Sequence, residues 1–107
     1  MLRTQRRGEL QVVAQVTPQG ADCPVIDISL GGICLACKDP LPKGKIVDLV
    51  FNIPKEIDPV FCKARVCWCQ PEKGDFCKTG FCFTQVAEED RERIMQFVVE
   101  HSLSLVN

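Results

Sequence analysis

The order of apolar and polar residues predicts a chain built mainly from β-strands. In residues 10–16 apolar side chains occupy every second position, and a similar alternation returns in several later segments. Segments rich in Gly and Pro, such as TPQGAD and KDPLPKG, separate these runs and favour turns. The expected strands are GELQVVAQV, CPVIDISL, ICLAC, KIVDLVFNI, VFCKARVCWC and FCKTGFCFTQV.

The last expected element is a helix in AEEDRERIMQFVVEHSL, which contains neither Gly nor Pro. Ile94, Phe97 and His101 recur at the spacing of one helical face. Acidic residues fill positions 88–90 in the first turn, where the helix dipole favours negative charge. His101 is interpreted as a packed or half-exposed helix residue without a catalytic role.

Short strands followed by one helix predict an all-β fold with a terminal helix. The expected architecture is a small six-stranded antiparallel β-barrel with the helix packed on it. A chain of 107 residues suits one domain. We expect that domain to span residues 1–107, with a flexible arginine arm at 1–8, the barrel at 9–86 and the helix at 87–103.

Composition and charge narrow the function classes. A net charge of −1 gives no overall attraction to nucleic acid or to an anionic membrane, so any anion site must be local. No apolar run approaches the roughly 18 residues of a membrane span. The N-terminus lacks the apolar region of a secretory signal, so we expect a cytoplasmic protein. With one histidine, no tyrosine and no phosphate-binding glycine loop before a helix, an enzyme is not expected.

The 8 cysteines allow free thiols, a metal site or disulfides. Disulfides are disfavoured in a reducing cytoplasm. Zinc is the sharper alternative, but Cys34 and Cys37 lie three apart on an expected strand, so their sulfurs diverge. Cys67 and Cys69 share a strand face around Trp68, without a second ligand pair at suitable spacing. We favour buried or half-buried free thiols and no metal, with the other two interpretations still open.

The segment VIDISLGG, residues 25–32, places candidate ligand groups on the outside of a strand. Alternation turns Asp27 and Ser29 outward and the apolar residues at 26, 28 and 30 toward the core, so Leu30 is expected to be buried. Glycine can adopt positive φ and carries no side chain, so the glycine pair that follows lets a ligand approach the backbone. A tight turn with solvated polar side chains is the alternative.

The segment RTQRR, residues 3–7, supplies a cluster of arginines with no obvious core face. Guanidinium groups bind phosphate through paired hydrogen bonds and also bind the O6/N7 edge of guanine. A carboxylate such as that of Asp27 accepts hydrogen bonds from the N1–H and amino group of guanine, and a hydroxyl such as that of Ser29 donates or accepts beside it. Together these groups describe a site for a guanine nucleotide that carries phosphates.

The two motifs, R-x-x-x-R in RTQRR and D-x-S-x-x-G in DISLGG, follow each other at a distance of about twenty residues. In this order they resemble the PilZ domain, a bacterial family of receptors for the second messenger cyclic di-GMP. The resemblance covers essentially the whole chain. Its further segments are LPKGKIVDLVFNIP, ARVCW, KTGFCF and EEDRERIMQFV.

The resemblance implies a PilZ-like split barrel of six antiparallel strands, a C-terminal helix, cyclic di-GMP as ligand and no cofactor. Arg3 and Arg7 would hold the phosphates and contact a guanine. Asp27 and Ser29 would bind a guanine from the barrel surface, and Gly32 would let the ligand lie close. Possible further ligand residues are Arg6, Gly31 and Trp68.

The implied mechanism is signal transduction without catalysis. The ligand would bridge arm and barrel, order the arm and create a surface that a downstream partner protein recognises. Nucleic-acid binding and membrane insertion are not expected. For Trp68, burial against the helix is favoured over ligand contact. The alternatives are a PilZ-like interaction module that binds no nucleotide, a small barrel that binds RNA or single-stranded DNA, and a zinc or redox role for the cysteines.

Overall fold

A computed structural model of the chain describes residues 13–17, 21–54 and 56–106. The arginine arm expected at residues 1–8, with Arg3, Arg6 and Arg7, lies outside the described residues. The expectations for these three arginines therefore stay predictions. The described part begins inside the first expected strand and continues almost to the C-terminal end of the chain.

The described chain is mostly β-strand and ends in one helix, α1, Glu88–Val106. As the sequence pattern predicts, the first turn of α1 is acidic. The prediction of a mostly-β fold with a C-terminal helix is confirmed. The strands are β1 Val13–Thr17, β2 Ala21–Ile28, β3 Gly32–Cys37, β4 Ile46–Phe51, β5 Val60–Pro71 and β6 Cys77–Val86.

The strands form one curled antiparallel sheet. They pair in the order β1-β2-β3-β6-β5-β4, and β1 also pairs with β4, so the sheet closes into a barrel. Across β3, β6 and β5, Cys34 lies opposite Gly80, and Gly80 lies opposite Trp68. The strands β2, β3, β6 and β5 are consecutive neighbours, and they share one continuous outer surface.

Apolar side chains that point inward fill the barrel. Buried residues alternate with exposed or half-buried ones along β4 and the first part of β5, because side chains alternate across a strand. Leu35, Leu49 and Val60 are completely buried. Burial of side chains of this size contributes roughly 1.5–3 kcal/mol each. Helix α1 adds Ile94 and Phe97 to the same core, which holds the helix on the barrel.

Arg93 ties α1 to the loop that precedes β5. Its Nε donates to Glu56 Oε1 at 2.7 Å, and its Nη1 donates to Asp90 Oδ1 at 2.7 Å. Its Nη2 donates to the carbonyl oxygen of Asp58. The hydrogen bond to Glu56 is the main cause of a raised pKa at Arg93. The planar guanidinium thus connects one helical turn to two residues of a loop.

A β-bulge in β2 changes which side chains face the core. The register against β3 shifts between Val25 and Asp27, so Val25 is buried although simple alternation places it on the face of Asp27. The expectation that Leu30 lies in the core is wrong, because Leu30 is 44% exposed. The reason is that β2 ends at Ile28, which leaves Leu30 in the turn that follows.

A second register shift lies in β5 between Val66 and Trp68. Cys62, Ala64 and Val66 alternate into the core as expected, but the bulge ends this alternation. Trp68 is consequently 43% exposed, and the expectation that it is buried against the helix is wrong. The bulge instead turns the indole to the outer surface of β5 and β6.

The cysteines follow the expectation only in part. Six are free thiols, of which Cys23, Cys37, Cys62 and Cys77 are buried, and the buried or half-buried interpretation is confirmed for the six. Cys34 and Cys37 lie on opposite faces of β3, as predicted.

Cys67 and Cys82 correct the expectation of free thiols. They form a disulfide bond between β5 and β6, with their Cα atoms 6.2 Å apart. The bulge at Cys67 also separates it from Cys69, whose sulfur accepts a hydrogen bond from Thr79 Oγ1 at 3.6 Å. Regular alternation predicts that Cys67 and Cys69 lie on the same face of the strand. This placement gave no reason to expect a bond between Cys67 and Cys82.

Candidate functional site

A pocket of about 340 Å³ lies on the outer surface of β2, β3, β6 and β5. This volume is at the lower end of the range of small-molecule sites, roughly 300–1,000 Å³. One wall is the turn after β2, and the opposite wall is the bulged part of β5. The lining residues include Asp27, Ser29, Gly31, Gly32, Cys34, Cys67, Trp68, Gly80 and Cys82.

Asp27 and Ser29 both line this pocket, Asp27 from the end of β2 and Ser29 from the turn that follows. The Asp27 carboxylate accepts the N–H of Ile28 at 2.9 Å, which fixes one of its oxygens. A carboxylate has about four lone-pair positions and can accept several hydrogen bonds at once. An acidic acceptor and a hydroxyl therefore stand together at one wall of the pocket.

The turn after β2 is closed by Ser29 and Gly32. The N–H of Ser29 donates to the carbonyl oxygen of Gly32 at 2.8 Å, and Ser29 Oγ donates to the same oxygen at 3.3 Å. The Ser29 oxygen keeps its acceptor positions for a ligand. Ser29 thus shapes the turn in addition to lining the pocket.

The structure shows a close backbone contact at Gly32, while the expected role of the glycine pair toward a ligand stays a prediction. Within the described chain positive φ occurs at Gly44 and Gly74, and neither Gly31 nor Gly32 adopts it. At Gly32 a Cβ atom would come 2.1 Å from the carbonyl oxygen of Phe81, so the close approach is to β6. At Gly31 a Cβ atom would meet nothing within 4 Å.

Trp68 and Gly80 form an aromatic platform inside the pocket. A Cβ atom at Gly80 would come 2.2 Å from two atoms of the Trp68 indole, so the ring rests directly on the glycine backbone. With 43% exposure, the ring keeps much of its surface open to the pocket. An exposed indole in such a position can stack on a planar base.

Three sulfur atoms add to this surface. The Cys67–Cys82 disulfide and the thiol of Cys34 all line the pocket. Burial raises the pKa of Cys34 to about 11, and the positive charge of Lys78 opposes that shift. Lys78 lies two residues before Gly80 on the same face of β6, so a cation lies next to the pocket.

Gly80, Lys78 and the disulfide were missed by sequence reasoning. A glycine inside a strand often marks a close approach of another group, and KTGFCF carried that signal at Gly80. The disulfide had no comparable signal, because Cys67 reaches Cys82 only through the bulge. The described residues do not include Arg3, Arg6 and Arg7. Of the two predicted motifs, the described site therefore contains the one with Asp27.

The described residues also bear on metal binding and on membrane spans. They contain no group of three or more His, Cys, Asp and Glu side chains arranged to hold a metal ion. No helix in this part of the chain is long and apolar enough to cross a membrane.

The fold and the pocket define a small antiparallel barrel with a pocket on its outer surface. The chain belongs to the PilZ domain family, whose model matches residues 2–100. PilZ domains are in general receptor or effector modules for cyclic di-GMP and are not known as enzymes. No curated protein matches the chain.

A solved structure similar to this fold is that of the inhibitor of motility MotI/DgrA from Bacillus subtilis. The TM-score is 0.78 and the sequence identity is 20%. The match covers 88% of this chain and 47% of the other chain, so the present chain spans about half the length of that protein. At this identity the match supports the fold alone.

Proposed function

We propose that this PilZ domain is a receptor for cyclic di-GMP and that the ligand binds in the pocket between Asp27 and Trp68. The observation that carries the proposal is the common location of a carboxylate, a hydroxyl and an exposed indole in one pocket. Guanine offers what these groups recognise, because it has adjacent N–H donors on one edge and a planar face. The family membership supports the same ligand.

In this proposal Asp27 accepts hydrogen bonds from the N1–H and amino group of one guanine, beside Ser29. Trp68 supplies a stacking surface. Arg3 and Arg7 bind the phosphates and a guanine edge, and Arg6 and Gly31 are possible further contacts.

The register of β1 supports a role for the arginine arm. Val13, at the start of β1, pairs with Pro24 of the antiparallel β2, so the chain enters the barrel from the end that carries Asp27. Asp27 is three residues further along β2, which corresponds to about 10 Å. The six residues from Arg7 to Val13 can span up to about 20 Å. Arg7 is therefore close enough in the chain to reach the pocket.

The proposed response is a change at the arm. A ligand that contacts both the arginines and Asp27 would order the arm against the barrel, and a downstream partner protein would recognise the new surface. No catalytic step is part of this proposal.

Isothermal titration calorimetry tests the proposal. Cyclic di-GMP should bind the wild type, whereas cyclic di-AMP should bind much more weakly, because adenine lacks the N1–H and amino pattern that Asp27 accepts. Arg7→Ala should weaken binding about tenfold or more, which is about 1.4 kcal/mol or more. Arg91→Ala, an exposed arginine on α1, is the matched control and should bind like the wild type. Equal affinity for both dinucleotides would contradict the guanine assignment.

A further inference from the structure

The Cys67–Cys82 disulfide lies inside the candidate ligand pocket and not at a remote point of the barrel. Both residues line the pocket together with Trp68, and both are half-buried. Small molecules that enter the pocket can therefore reach the sulfur atoms. A disulfide in this place is open to exchange chemistry as well as to a structural role.

The disulfide also lies next to Trp68, whose ring forms part of the pocket surface. The β-bulge interrupts the pairing of β5 with β6 between Val66 and Trp68, and Cys67 lies at this interruption. The bond to Cys82 attaches the bulge to β6. Since Trp68 directly follows Cys67 and rests on Gly80 of β6, the bond and the ring are held by the same two strands.

We propose that Cys67 and Cys82 are a reversible thiol–disulfide couple that sets the position of Trp68 in the pocket, with low-molecular-weight disulfides as the oxidant. The disulfide form holds the bulge against β6 and keeps the indole on Gly80. In the dithiol form this covalent link is absent, and the indole gains freedom to leave the glycine.

The exchange proceeds in two balanced steps. The thiolate of one protein cysteine attacks a sulfur of oxidised glutathione, forms a mixed disulfide and releases one glutathione thiolate. The second protein thiolate then attacks the protein sulfur of the mixed disulfide and releases the second glutathione. Two electrons pass from the protein sulfurs to oxidised glutathione, and the two thiol protons end on the released glutathione molecules.

The surroundings favour this pair over the third thiol of the pocket. Arg65 lies directly opposite Cys82 in the β5–β6 ladder, and a nearby cation favours the thiolate that exchange requires. Cys34 has a pKa raised to about 11 by burial, so it stays protonated and unreactive near neutral pH. Within the pocket, oxidation is thus directed to Cys67 and Cys82 and not to Cys34.

Thiol counting and the fluorescence of Trp68, the single tryptophan of the chain, test the couple without any nucleotide. After treatment with dithiothreitol, alkylation under denaturing conditions should modify all 8 cysteines. After subsequent incubation with oxidised glutathione it should modify the 6 free ones. Reduction should also shift the Trp68 emission maximum to longer wavelength and increase quenching by acrylamide, and oxidation should reverse both changes.

The variants separate this couple from general thiol effects. Cys67→Ser/Cys82→Ser should show the emission of the reduced wild type and no redox response. Cys34→Ser, which changes another cysteine of the same pocket, should keep the full response. The proposal is overturned if the reduced and oxidised wild type have the same emission maximum and quenching. It is also overturned if the double variant still responds.

The effect on ligand affinity rests on the proposed function. Reduction of the wild type should weaken cyclic di-GMP binding by about tenfold, since a mobile indole is a poorer stacking surface. If neither form binds cyclic di-GMP, the proposed function fails, while the thiol count and the emission of Trp68 still decide on the couple. If both forms bind with equal affinity, the receptor function stands and the coupling of redox state to binding is refuted.

Discussion

The indole of Trp68 lies so close to Gly80 that a Cβ atom there would come 2.2 Å from two ring atoms. The ring can occupy this position only because residue 80 has no side chain. The relationship joins β5 to β6 on the outer surface, next to the bulge that turns Trp68 outward. It places the aromatic surface of the pocket on a residue without a side chain.

Gly80→Ala should displace the Trp68 ring while the barrel stays folded, because the clashing atoms belong to a side chain that can move. We expect a shift of the Trp68 emission maximum and a loss of cyclic di-GMP affinity of about tenfold, or about 1.4 kcal/mol. Fluorescence and calorimetry measure the two effects. Thr84→Ala, an exposed position on the same strand, is the control and should change neither. Unchanged emission in Gly80→Ala would refute the contact.

Gly32→Ala should destabilise the fold itself. The new Cβ atom would come 2.1 Å from the carbonyl oxygen of Phe81, a backbone atom that moves only with β6. The free energy of unfolding should fall by about 2–3 kcal/mol, measured by urea denaturation. Gly31→Ala is the matched control, because its Cβ atom has open space, and it should change stability by less than about 0.5 kcal/mol. Equal stability of both variants would contradict the assigned role of Gly32.

Asp27→Asn tests the acidic acceptor with little change in shape. The amide oxygen can still accept the N–H of Ile28, so the turn should persist. The charge and one acceptor group are lost, and cyclic di-GMP binding should weaken by roughly 1.5–3 kcal/mol in calorimetry. Asp39→Asn, an exposed carboxylate outside the pocket residues, should bind like the wild type. An Asp27→Asn protein with full affinity would exclude Asp27 as the guanine contact.

Arg93→Ala should loosen the connection between α1 and the loop before β5. It removes the hydrogen bonds to Glu56 and Asp90, and the Arg93 side chain is only 23% exposed. The free energy of unfolding should fall by about 1–2 kcal/mol, with little change in ligand affinity. Arg91→Ala on the exposed side of the same helix serves for comparison and should cost less than about 0.5 kcal/mol. A loss of affinity in Arg93→Ala would show that α1 influences the pocket.

Much of the fold could be predicted from the sequence because hydrophobic alternation repeats over many residues. The strands and the terminal helix follow from such repeated patterns, and Asp27 and Ser29 were placed together for the same reason. The burial of Val25 and the exposure of Leu30 were not predicted. A bulge is a single-residue event set by pairing with the neighbouring strand, and the end of β2 is set by a turn.

The same limit applies to the candidate site. The exposed Trp68 and the Cys67–Cys82 disulfide both depend on the bulge in β5, which leaves no periodic signal in the sequence. A reducing compartment acts on all cysteines equally, so it does not single out this pair. Gly80 was recognisable as a glycine within a strand, but its partner became evident only from the cross-strand register.

The bulges at Ile26 and Cys67 make the outer surface depend on the number of residues in each strand. Each adds one position to its strand, and everything beyond it on that strand changes face relative to an unbroken ladder. Regular pairing of Ile26 or Cys67, without the bulge, would turn Asp27 or Trp68 toward the interior without changing its identity, whereas deletion of that extra residue would leave it on the outer face. When chains of this fold are compared, the position of each bulge in its strand is therefore as informative about the pocket as the amino acids that line it.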